Sequence, residues 1–409
     1  MRKIINDPVH GFITIDDPLI YAIISHAYYQ RLRRIKQMAL AYLVYPGAVH
    51  TRLHHSLGAY HLMGNAIAEL RQKGIGISAN EEQAARIAIL LHDIGHGPFS
   101  HALEHALVDV HHEDLSLLIM HRLQDSLAEG GRFAANCLEQ AIAIFTGAYP
   151  KKFLHQLVSS QLDVDRMDYL ARDSFFTGVS EGVIGYDRIV KMLTVVNDEL
   201  VVEEKGIHSI EKFLIARRLM YSQVYLHKTV LSSELMLVKL LTRAKDLVHK
   251  GATLFATPAL QYFLQKNYSL NDFQTQSTCL YHFLQLDDFD IVSALKVWVM
   301  HEDSILSDLS RRLLDRDLFK VRFYKTEESG QVEIWRQQVQ ADFSLDDESM
   351  AYYFMQSETS SSTYDAHIES IRILLKNGDI IDITEAENTL IREGLLVPVK
   401  KPYICFLRK

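Results

Sequence analysis

The chain has 409 residues, of which 48% are hydrophobic and 23% are charged, a composition typical of a folded globular protein and unlike that of a disordered one. Its 43 lysines and arginines are outnumbered by 51 aspartates and glutamates, so no overall positive field would attract a polyanion. Three widely spaced cysteines argue against a disulfide framework, and no uncharged apolar run reaches the roughly 18 residues of a membrane span, so we expect a cytoplasmic protein.

The N-terminal part of the chain is predicted to be mainly helical. Residues 6–15 have the pattern of a turn followed by a short strand, and behind Pro18 apolar residues recur at helical spacing over 19–38. A strand and turn are predicted over 42–47, and an amphipathic helix over 57–70. The basic residues of the first helix favour a solvated face, with a nucleotide-binding surface as the alternative.

The motif at 89–101 is the most informative stretch of the sequence. An apolar helical run leads directly into adjacent His92 and Asp93, after which two glycines and a proline end the helix. An imidazole and a carboxylate together suit a divalent cation, although a lone His-Asp pair is more commonly just a helix end. Eleven of the 20 histidines lie between residues 50 and 121, and this clustering favours a metal site surrounded by acid–base histidines.

A second polar stretch occupies residues 161–173. Within it, Asp165, Asp168, Tyr169 and Arg172 recur at helical spacing and therefore share one helix face. Such a face is usually the solvated side of a helix, but its density of aspartates offers a further metal ligand. Between the two polar stretches, helices are predicted over 100–107, 112–127, 134–145 and 153–159.

Beyond the second polar stretch, the sequence changes gradually from helical to mixed. A hairpin is predicted over 195–202, followed by a long helical tract over 210–248 with one break and a loop over 251–258. Strands are then predicted over 321–325, 331–339 and 395–407, with a hairpin around Asn377-Gly378. We therefore expect a mainly α fold, with a helical core over residues 1–250 and a C-terminal region over 251–409 that is helical first and α+β afterwards.

Four residues form the best set of metal ligands. They are His55, His92, Asp93 and Asp165, which come from three well-separated predicted helices, as ligands of sites between bundle helices commonly do. Two imidazoles and two carboxylates suit Mn, Fe, Zn or Mg, and the ligand types alone do not choose among these metals.

These four residues also carry a resemblance to a known family. The chain resembles the HD-domain phosphohydrolases, whose signature is a His, a later His-Asp pair and a still later Asp. Within that superfamily it is similar to the deoxynucleoside triphosphate triphosphohydrolases, both the bacterial dGTPase-related enzymes and the animal sterile-alpha-motif and HD-domain protein. The matching segments are 7–11, 30–33, 45–48, 52 with 55–58, 92–101 and 163–173, within a similarity that extends from about residue 3 to 325.

The resemblance implies hydrolysis at the α-phosphorus of a deoxynucleoside triphosphate (dNTP), which releases inorganic triphosphate and a deoxynucleoside. It implies an HD-domain helical bundle with one divalent ion per site, and additional Mg accompanying the nucleotide. A homodimer or homotetramer is also implied. The net acidity of the chain argues against nucleic acid as the main partner, and the lack of a long apolar run argues against a membrane. The alternatives are a phosphomonoesterase or phosphodiesterase acting on another nucleotide, and a non-catalytic nucleotide-binding module. The identity of the products would distinguish these alternatives.

The resemblance also implies roles around the phosphates, according to position in the motifs. His101, supported by His96 and His112, would donate a proton to the departing sugar oxygen. Positive side chains would offset the charge that accumulates on the phosphate oxygens. The candidates for this role are Arg52, Arg166, Arg217 and Lys228.

At the nucleoside end, the resemblance assigns two pairs of residues. Asp173 and Tyr169 would hold the sugar, and Gln37 and Tyr225 would shape the nucleoside pocket. A tyrosine packed against the ribose, leaving no space for a 2′-OH, would explain a preference for deoxynucleotides. The sequence does not indicate which base is preferred.

The chain departs from the animal pattern at informative positions. The family's Glu before the metal-binding His is His54 here, its phosphate-contacting Lys is Arg166, and a pocket His is Tyr221. The first two changes preserve the expected chemistry.

A nucleotide activator site is a further expectation from the resemblance. In the allosteric members of the family a guanine nucleotide bridges subunits, and Lys3, Gln30 and Arg33 match the residues that bind it. The acidic residue that recognises guanine is replaced by Ser25. This replacement argues against activation by GTP and leaves either a different activator nucleotide or none.

Overall fold

The computed structural model describes residues 2–104, 106–361, 364, 370–386 and 399–408. The chain begins with an antiparallel hairpin formed by β1, Lys3–Asp7, and β2, Gly11–Ile15. The strand predicted within 6–15 is the second strand of this hairpin. His105, one of the clustered histidines, lies outside the described residues, as do residues 395–398 of the last predicted strand.

Helices form most of the chain as far as residue 249. In chain order they are α1 Pro18–Ser25, α2 Ala27–Gln30, α3 Arg52–Gln72, α4 Ala79–Leu91, α5 His112–Glu129, α6 Glu139–Phe145, α7 Lys152–Val158, α8 Val164–Thr177, α9 Tyr186–Met192, α10 Ile207–Met220 and α11 Lys228–His249. Short 3₁₀ turns at Arg31–Arg34, Ala41–Leu43 and Ser100–Leu103 and a π turn at Tyr221–Tyr225 connect some of them. The predicted helix over 57–70 lies within α3, and the break predicted in 210–248 is the π turn with extended His227 after it.

The single helix predicted over 19–38 is wrong, because the chain leaves the helical conformation at His26. That residue has φ −72° and ψ 143°, and its ring nitrogen accepts a hydrogen bond from the Tyr28 N–H, which starts a new short helix. Buried Arg31 then donates to the carbonyl oxygens of Leu286 and His96, both at 2.8 Å. These tertiary hydrogen bonds override the local helical pattern.

Two other local predictions in this part differ from the structure. The strand predicted over 42–47 is wrong, since the 3₁₀ turn at Ala41–Leu43 and further turns occupy it. The helix predicted over 100–107 is limited to the 3₁₀ turn at Ser100–Leu103. Phe99 and Ser100, at the start of that turn, have φ of 54° and 52°, a left-handed conformation that an α-helix does not contain.

Helix α3 is central to the helical part because it packs against both α4 and α8. Its contact with α8 is very close at Gly58, where a Cβ would lie only 1.9 Å from an Asp168 Oδ1 and 2.2 Å from Arg172 Nη2. Glycine is therefore required at this crossing. The close packing brings the first turns of α3 and α8 together with the end of α4, where the motif histidines and aspartates lie.

The remaining elements are shorter. The helices are α12 Pro258–Gln265, α13 Leu270–Thr275, α14 Ser277–Phe283, α15 Asp288–Trp298, α16 Ser304–Asp315, α17 Gln331–Phe343 and α18 Asp347–Tyr353. The strands are β3 Leu193–Val196, β4 Glu199–Glu203, β5 Lys320–Phe323, β6 Phe354–Ser361, β7 Arg372–Leu374, β8 Ile380–Asp382 and β9 Val399–Phe406. The fold is mainly α, with small hairpins and mixed sheets, as the sequence predicts.

The strands form two small sheets besides the N-terminal hairpin. One has the order β5-β9-β6 and is antiparallel; the other has the order β3-β4-β7-β8, with β4 and β7 parallel. The predicted hairpins are β3–β4 and β7–β8, and the second turns at Gly378 with φ 93°. The strand predicted over 331–339 is wrong, because it is part of α17, in which Val332 and Val339, two helical turns apart, are buried.

The parallel pairing of β4 with β7 joins the C-terminal region to the helical core. The division of the chain into two regions at residue 250 stays a prediction. All three cysteines are free. Among the described residues, no helix combines the length and the apolar character needed to cross a membrane.

Candidate active site

The four predicted metal ligands converge on one point between α3, α4 and α8. The His55 Nε2 lies 3.0 Å from an Asp165 Oδ1 and 3.3 Å from His92 Nε2, which itself lies 3.3 Å from the same Asp165 oxygen. The Asp93 carboxylate is next to them, with its oxygens 3.5 Å from His55 Nε2 and 3.4 Å from His92 Nε2. The structure therefore brings together four side chains from three separate segments.

Local helix geometry explains how these side chains reach the same point. His55 is in the first turn of α3, and Asp165 is in the first turn of α8, which Asp163 caps by accepting from the Arg166 N–H at 2.7 Å. His54, the departure from the family pattern, caps α3, because its Nδ1 accepts from the Thr51 N–H at 3.1 Å. It takes the part that Glu or Gln usually has in a capping box.

Two hydrogen bonds orient the imidazoles. The His55 Nδ1 is 2.7 Å from an Asp168 oxygen, and the His92 Nδ1 is 2.6 Å from the Ile89 carbonyl oxygen. Since a carbonyl and a carboxylate accept, each Nδ1 must carry the proton, and each Nε2 then presents its lone pair to the common point. This is the arrangement in which imidazoles bind a metal through Nε2.

Asp168 is a functional residue whose task the sequence did not indicate. It is fully buried, and its other partners are His10 Nε2 at 2.6 Å and the Arg172 guanidinium, at 2.9 Å from each of its oxygens. Arg172 also donates to Asp7 on the N-terminal hairpin at 2.8 Å. In the sequence, the only indication was the polar helix face that contains Asp165, Asp168 and Arg172. Helical spacing alone could not show which aspartate binds the metal and which one orients a metal-binding side chain.

The electrostatics of the cluster favour a positive charge at its centre. Burial alone would lower the pKa of His55, but hydrogen bonds to Asp165 and Asp168 outweigh it and raise the pKa to about 10. The pKa of His92 is also raised, because Asp93 and Asp165 outweigh its burial. Conversely, these imidazoles hold the pKa of Asp165 below its ordinary range in spite of burial. Without a cation between them, the surrounding carboxylates thus favour the protonated form of both rings.

The residues present fit a divalent metal ion. Two ligand atoms that each lie about 2.1 Å from one ion are about 3.0–3.4 Å apart at right-angled or tetrahedral positions. The distances of 3.0–3.5 Å between the Nε2 and carboxylate oxygen atoms match this spacing. The donor set of two nitrogens and two oxygens suits Mn, Fe, Zn or Mg.

Arg52 connects this cluster to the following turn. Its Nη1 donates to Asp93, and its Nε donates to the Ser100 hydroxyl at 2.9 Å. Ser100 in turn donates to the Lys36 carbonyl oxygen at 2.9 Å. These contacts hold Phe99 and Ser100 in their left-handed conformation, which costs energy for residues with a side chain.

A second histidine cluster lies beside the first. The rings of His96 and His112 stack at 3.9 Å, and the ring of His101 lies 4.8 Å from that of His96. Burial, followed by the charge of Arg52, lowers the pKa of His96 well below its ordinary value, so this ring is neutral. Its Nε2 lies 3.2 Å from an Asp93 oxygen, which connects the two clusters.

Glu104 is a second residue that sequence reasoning missed. One of its oxygens lies 2.8 Å from His101 Nδ1, and the other lies 2.7 Å from His112 Nδ1. Hydrogen bonds from these two rings outweigh burial and lower the pKa of Glu104 below its ordinary range. The carboxylate thus fixes both rings with their Nε2 atoms turned away from it.

The His112 ring reaches this position because α5 begins very close to the central motif. A Cβ at Gly95 would lie 2.1 Å from the His112 carbonyl oxygen, so only glycine permits the approach. The Gly95 N–H donates to Ser116 Oγ at 2.9 Å, and this hydroxyl donates to the His92 carbonyl oxygen at 2.8 Å.

Both clusters open into a cavity of about 420 Å³. Predicted substrate or catalytic residues that line it are Gln37, Arg52, His96, His101, His112, Arg166, Tyr169, Asp173 and Tyr225. Arg217 and Lys228 are not among the lining residues. Arg217 donates to Gln161 at 3.2 Å, and the Lys228 Nζ lies 5.7 Å from the centre of the Phe323 ring.

One wall of the cavity is held by Asp173. Its oxygens bind the Tyr225 hydroxyl at 2.7 Å and His50 Nε2 at 2.7 Å. The Tyr225 ring lies 6.5 Å from that of Tyr169 and 5.1 Å from that of Tyr221, which also lines the cavity. The sequence analysis assigned no role to His50. Its position among the clustered histidines was the only indication in the sequence that it belongs to the site.

The residues predicted to bind an activator lie apart from the cavity lining. The Arg33 Nε donates to Gln30 Oε1 at 2.6 Å, so these two side chains contact each other. The Lys3 Nζ lies 5.9 Å from the centre of the Tyr21 ring. An activator role for these residues stays a prediction.

The chain is similar to known proteins over the site and far beyond it. Residues 52–173, which contain both clusters, match the model of the HD domain, and residues 184–255 match that of the HD associated region. The chain is 34% identical over 394 residues to "Uncharacterized protein YwfO" of Bacillus subtilis, with 94% of this chain and 87% of that protein aligned. It is also 34% identical over 257 residues to the "Deoxynucleoside triphosphate triphosphohydrolase SAMHD1 homolog" of Dictyostelium discoideum, with 59% of this chain and 49% of that protein aligned.

The fold is also found among solved structures. The crystal structure of a phosphohydrolase from Bacteroides thetaiotaomicron superposes with a TM-score of 0.93 at 48% sequence identity, covering 100% of both chains. A hypothetical protein from Aquifex aeolicus superposes with a TM-score of 0.75 at 28% identity, covering 99% of this chain. The signature residues, the matching family model and these relatives agree: the chain belongs to the HD-domain phosphohydrolase superfamily.

Proposed function

We propose that this protein is a metal-dependent hydrolase that converts dNTPs to deoxynucleoside and inorganic triphosphate. The observation that carries the proposal is the convergence of His55, His92, Asp93 and Asp165 beside a cavity that also holds a histidine cluster and an Asp–Tyr pair. The relatives named as deoxynucleoside triphosphate triphosphohydrolases support this choice of substrate among phosphohydrolases.

The four converging side chains would hold the divalent ion. When bound, such an ion would supply Lewis acidity toward a phosphoryl oxygen and lower the pKa of water toward neutrality. Asp168 would keep the His55 ring in its productive orientation, and Arg52 would keep Asp93 in place.

Protons would be moved by the second histidine cluster. Because Glu104 accepts from the Nδ1 of both His101 and His112, their Nε2 atoms are available to the substrate. His101 is the most exposed of the three, with a side chain 67% exposed, and can exchange protons with solvent between turnovers. His101 would therefore protonate the departing sugar oxygen, with His112 and neutral His96 fixing its position.

Positive charge for the phosphates would come from Arg166. Its Nε donates to the Ser160 carbonyl oxygen at 2.6 Å, which fixes the guanidinium at the cavity wall. Burial lowers the pKa of Arg166, but the nearby charge of Asp163 outweighs this effect and raises the pKa above its ordinary value, so the side chain stays charged. Charge held in advance where negative charge develops lowers the barrier to phosphoryl transfer.

The sugar would bind against Tyr225 and Asp173. The hydrogen bond between them fixes the phenol ring, and Tyr169 lines the same wall. A ring fixed against the ribose leaves no room for a 2′-OH, which would account for selection of deoxynucleotides.

The test is chromatography of the products after incubating metal-loaded protein with each dNTP, alone and in mixtures. We expect triphosphate and deoxynucleoside in equal amounts. Release of orthophosphate would contradict attack at the α-phosphorus. Release of pyrophosphate would show that pyrophosphate, and not the sugar oxygen, is the leaving group, and either result would favour another phosphohydrolase reaction. Activity confined to mixtures would show that a nucleotide activator is needed. Substitution of Gln30 or Arg33 should then abolish the activity seen in mixtures.

Asp165→Ala tests the ligand set in the same assay. Loss of one carboxylate ligand should abolish turnover and lower the metal content measured by elemental analysis. Asp187→Ala, at an exposed position on α9, is the matched control and should behave as the unaltered protein. Unchanged turnover in Asp165→Ala would exclude the proposed set of four ligands.

A further inference from the structure

Glu234 is a carboxyl group on the cavity wall that the proposed reaction does not use. It belongs to α11, which supplies none of the four proposed metal ligands. Among the described residues, its carboxyl makes no hydrogen bond and no ion pair. Burial raises its pKa to about 7, because the charged form is poorly solvated there. A polar group placed in this way favours a ligand that would satisfy it.

Apolar residues line the part of the cavity that α11 and its neighbours form. Helix α11 packs against the turns Ala41–Leu43 and Ser100–Leu103, so this side of the cavity is formed by three separate segments. The apolar lining residues that these segments and their neighbours contribute are Met38, Ala39, Ala41, Ala102 and Val230. Small apolar side chains form a surface that suits a flat ring better than a sugar with several hydroxyl groups.

Charge decides which end of a nucleotide could lie beside Glu234. A triphosphate would be repelled by a carboxylate, and Arg166 and Arg52 provide a more favourable place for it. The sugar already has a carboxylate partner in Asp173, which is fixed by its own hydrogen bonds. The base is the part of the substrate that remains.

Above pH 7 Glu234 is mainly ionised, and two donors from a ligand would stabilise that form further. An ionised carboxylate accepts hydrogen bonds and donates none, so it binds best to two adjacent donors. Guanine presents such a pair, N1–H and the N2 amino group, side by side. Adenine and cytosine present one amino group beside a ring nitrogen that accepts, and thymine presents one N–H between two carbonyl oxygens. An acceptor facing the carboxylate costs free energy, since both groups lose water without gaining a partner.

We propose that Glu234 recognises the base and gives the site a preference for guanine. The proposal rests on the proposed function, because it takes the nucleotide to lie with its phosphates at the metal ligands. Gln37 lies on the same cavity, and its Oε1 is buried without a hydrogen-bond partner. This oxygen is a second acceptor for donors of the nucleoside.

The experiment measures kcat/KM for the four dNTPs and for dITP, whose base keeps N1–H but lacks the N2 amino group. The unaltered protein should prefer dGTP and should discriminate against dITP by about 10- to 100-fold, the range for one lost hydrogen bond to a charged group. Glu234→Gln, which replaces one acceptor by a donor, should lower kcat/KM for dGTP by about 10- to 100-fold. Values for the other dNTPs should change less than about threefold, and the difference between dGTP and dITP should disappear.

Two controls keep the result interpretable. Glu327→Gln is the same substitution at an exposed turn and should leave all five values unchanged. Glu234→Asp keeps the charge but moves it away from the base, so it should also reduce the preference for dGTP. This variant replaces Glu234→Gln in the test if the glutamine variant fails to fold. An equal loss for all substrates in the Glu234 variants, or no preference for dGTP in the unaltered protein, would overturn the proposal.

Failure of the proposed function gives a different result. If no nucleotide releases triphosphate, the reaction is wrong, and equilibrium binding of dGTP and dITP to metal-loaded protein then tests the base proposal alone. Tighter binding of dGTP that depends on Glu234 would support it, whereas equal binding of the two nucleotides would exclude it.

Discussion

The two histidine clusters of the cavity are neighbours, yet they are built in opposite ways. His55 and His92 are oriented by partners in the protein interior, a fully buried carboxylate and a helix carbonyl oxygen. His101 and His112 are oriented by Glu104, and the His101 side chain is 67% exposed. Both arrangements leave the Nε2 atoms turned away from the groups that orient the rings, but the side chains of His55 and His92 are only 1% and 11% exposed.

In the proposed mechanism, this difference lets the same side chain serve two kinds of chemistry. A metal ligand needs a fixed position and a fixed tautomer, which a buried network provides. A group that gives and takes protons needs the same fixed position but also a route to water. Asp93 lies between the clusters, 3.2 Å from His96 and 3.4 Å from His92, and connects them.

The largest effect should come from Asp168→Asn. This change removes the charge that His55 Nδ1–H faces and leaves Arg172 with a weaker buried partner. We expect metal affinity to fall by about 10–100-fold, and the free energy of unfolding to fall by about 3–5 kcal/mol. Metal titration and thermal unfolding measure the two effects. A folded variant with normal metal affinity would show that the buried network does not orient the ligand.

A smaller effect, on kcat alone, is expected from Glu104→Gln. The amide keeps one accepting oxygen, but its NH2 group can only donate, so one of the two rings, His101 or His112, loses the acceptor that fixes its tautomer. We expect kcat to fall by about 100-fold, with metal content unchanged. Glu129→Gln, at the exposed end of α5, is the control. Loss of metal in the Glu104 variant would remove the distinction between the clusters.

The smallest effect should come from Glu81→Gln, at the opposite end of the helix that carries His92. Glu81 accepts from Lys151 and Tyr149, both at 2.9 Å, and caps α4. These contacts outweigh burial and lower the pKa of Glu81 from 4.5 to about 2. Because the folded-state pKa is depressed, the stabilisation is present above pH 4.5 and is lost as the pH falls toward 2.

The variant should therefore melt at a lower temperature than the unaltered protein at neutral pH. The difference should narrow as the pH falls below about 4.5. Metal content and kcat should not change, which would identify a carboxylate that supports the fold without serving either cluster. A constant difference in melting temperature at all pH values would contradict the depressed pKa.

The sequence revealed the residues with distinctive chemistry more readily than those that orient them. The convergence of His55, His92, Asp93 and Asp165 could be expected because they combine suitable ligand chemistry with an origin in three separate predicted helices. Glu104 and Asp168 could not be assigned, because a carboxylate that orients a ring has no spacing of its own and is identified only by distance. The roles of the cavity residues stay predictions until the experiments above are made.

Local errors in the fold prediction have two causes. The helix predicted over 19–38 is interrupted at His26, and the segment after it is held by Arg31, which donates to carbonyl oxygens as far away in sequence as Leu286. The strand predicted over 331–339 failed because short alternating patterns do not separate a strand from a helix whose buried residues are seven apart. In the first case partners distant in sequence decide the structure, and in the second the local pattern fits two kinds of element.

The crossing at Gly58 has a consequence for how mutational data on this protein would be understood. Any side chain at position 58 would occupy the space of the Asp168 carboxylate and the Arg172 guanidinium. In a screen that replaces each residue in turn, Gly58→Ala would therefore be as damaging as loss of a metal ligand. The screen would thus group Gly58 with the catalytic residues although glycine has no side chain. Its contribution to the site is the space that it leaves for Asp168 and Arg172.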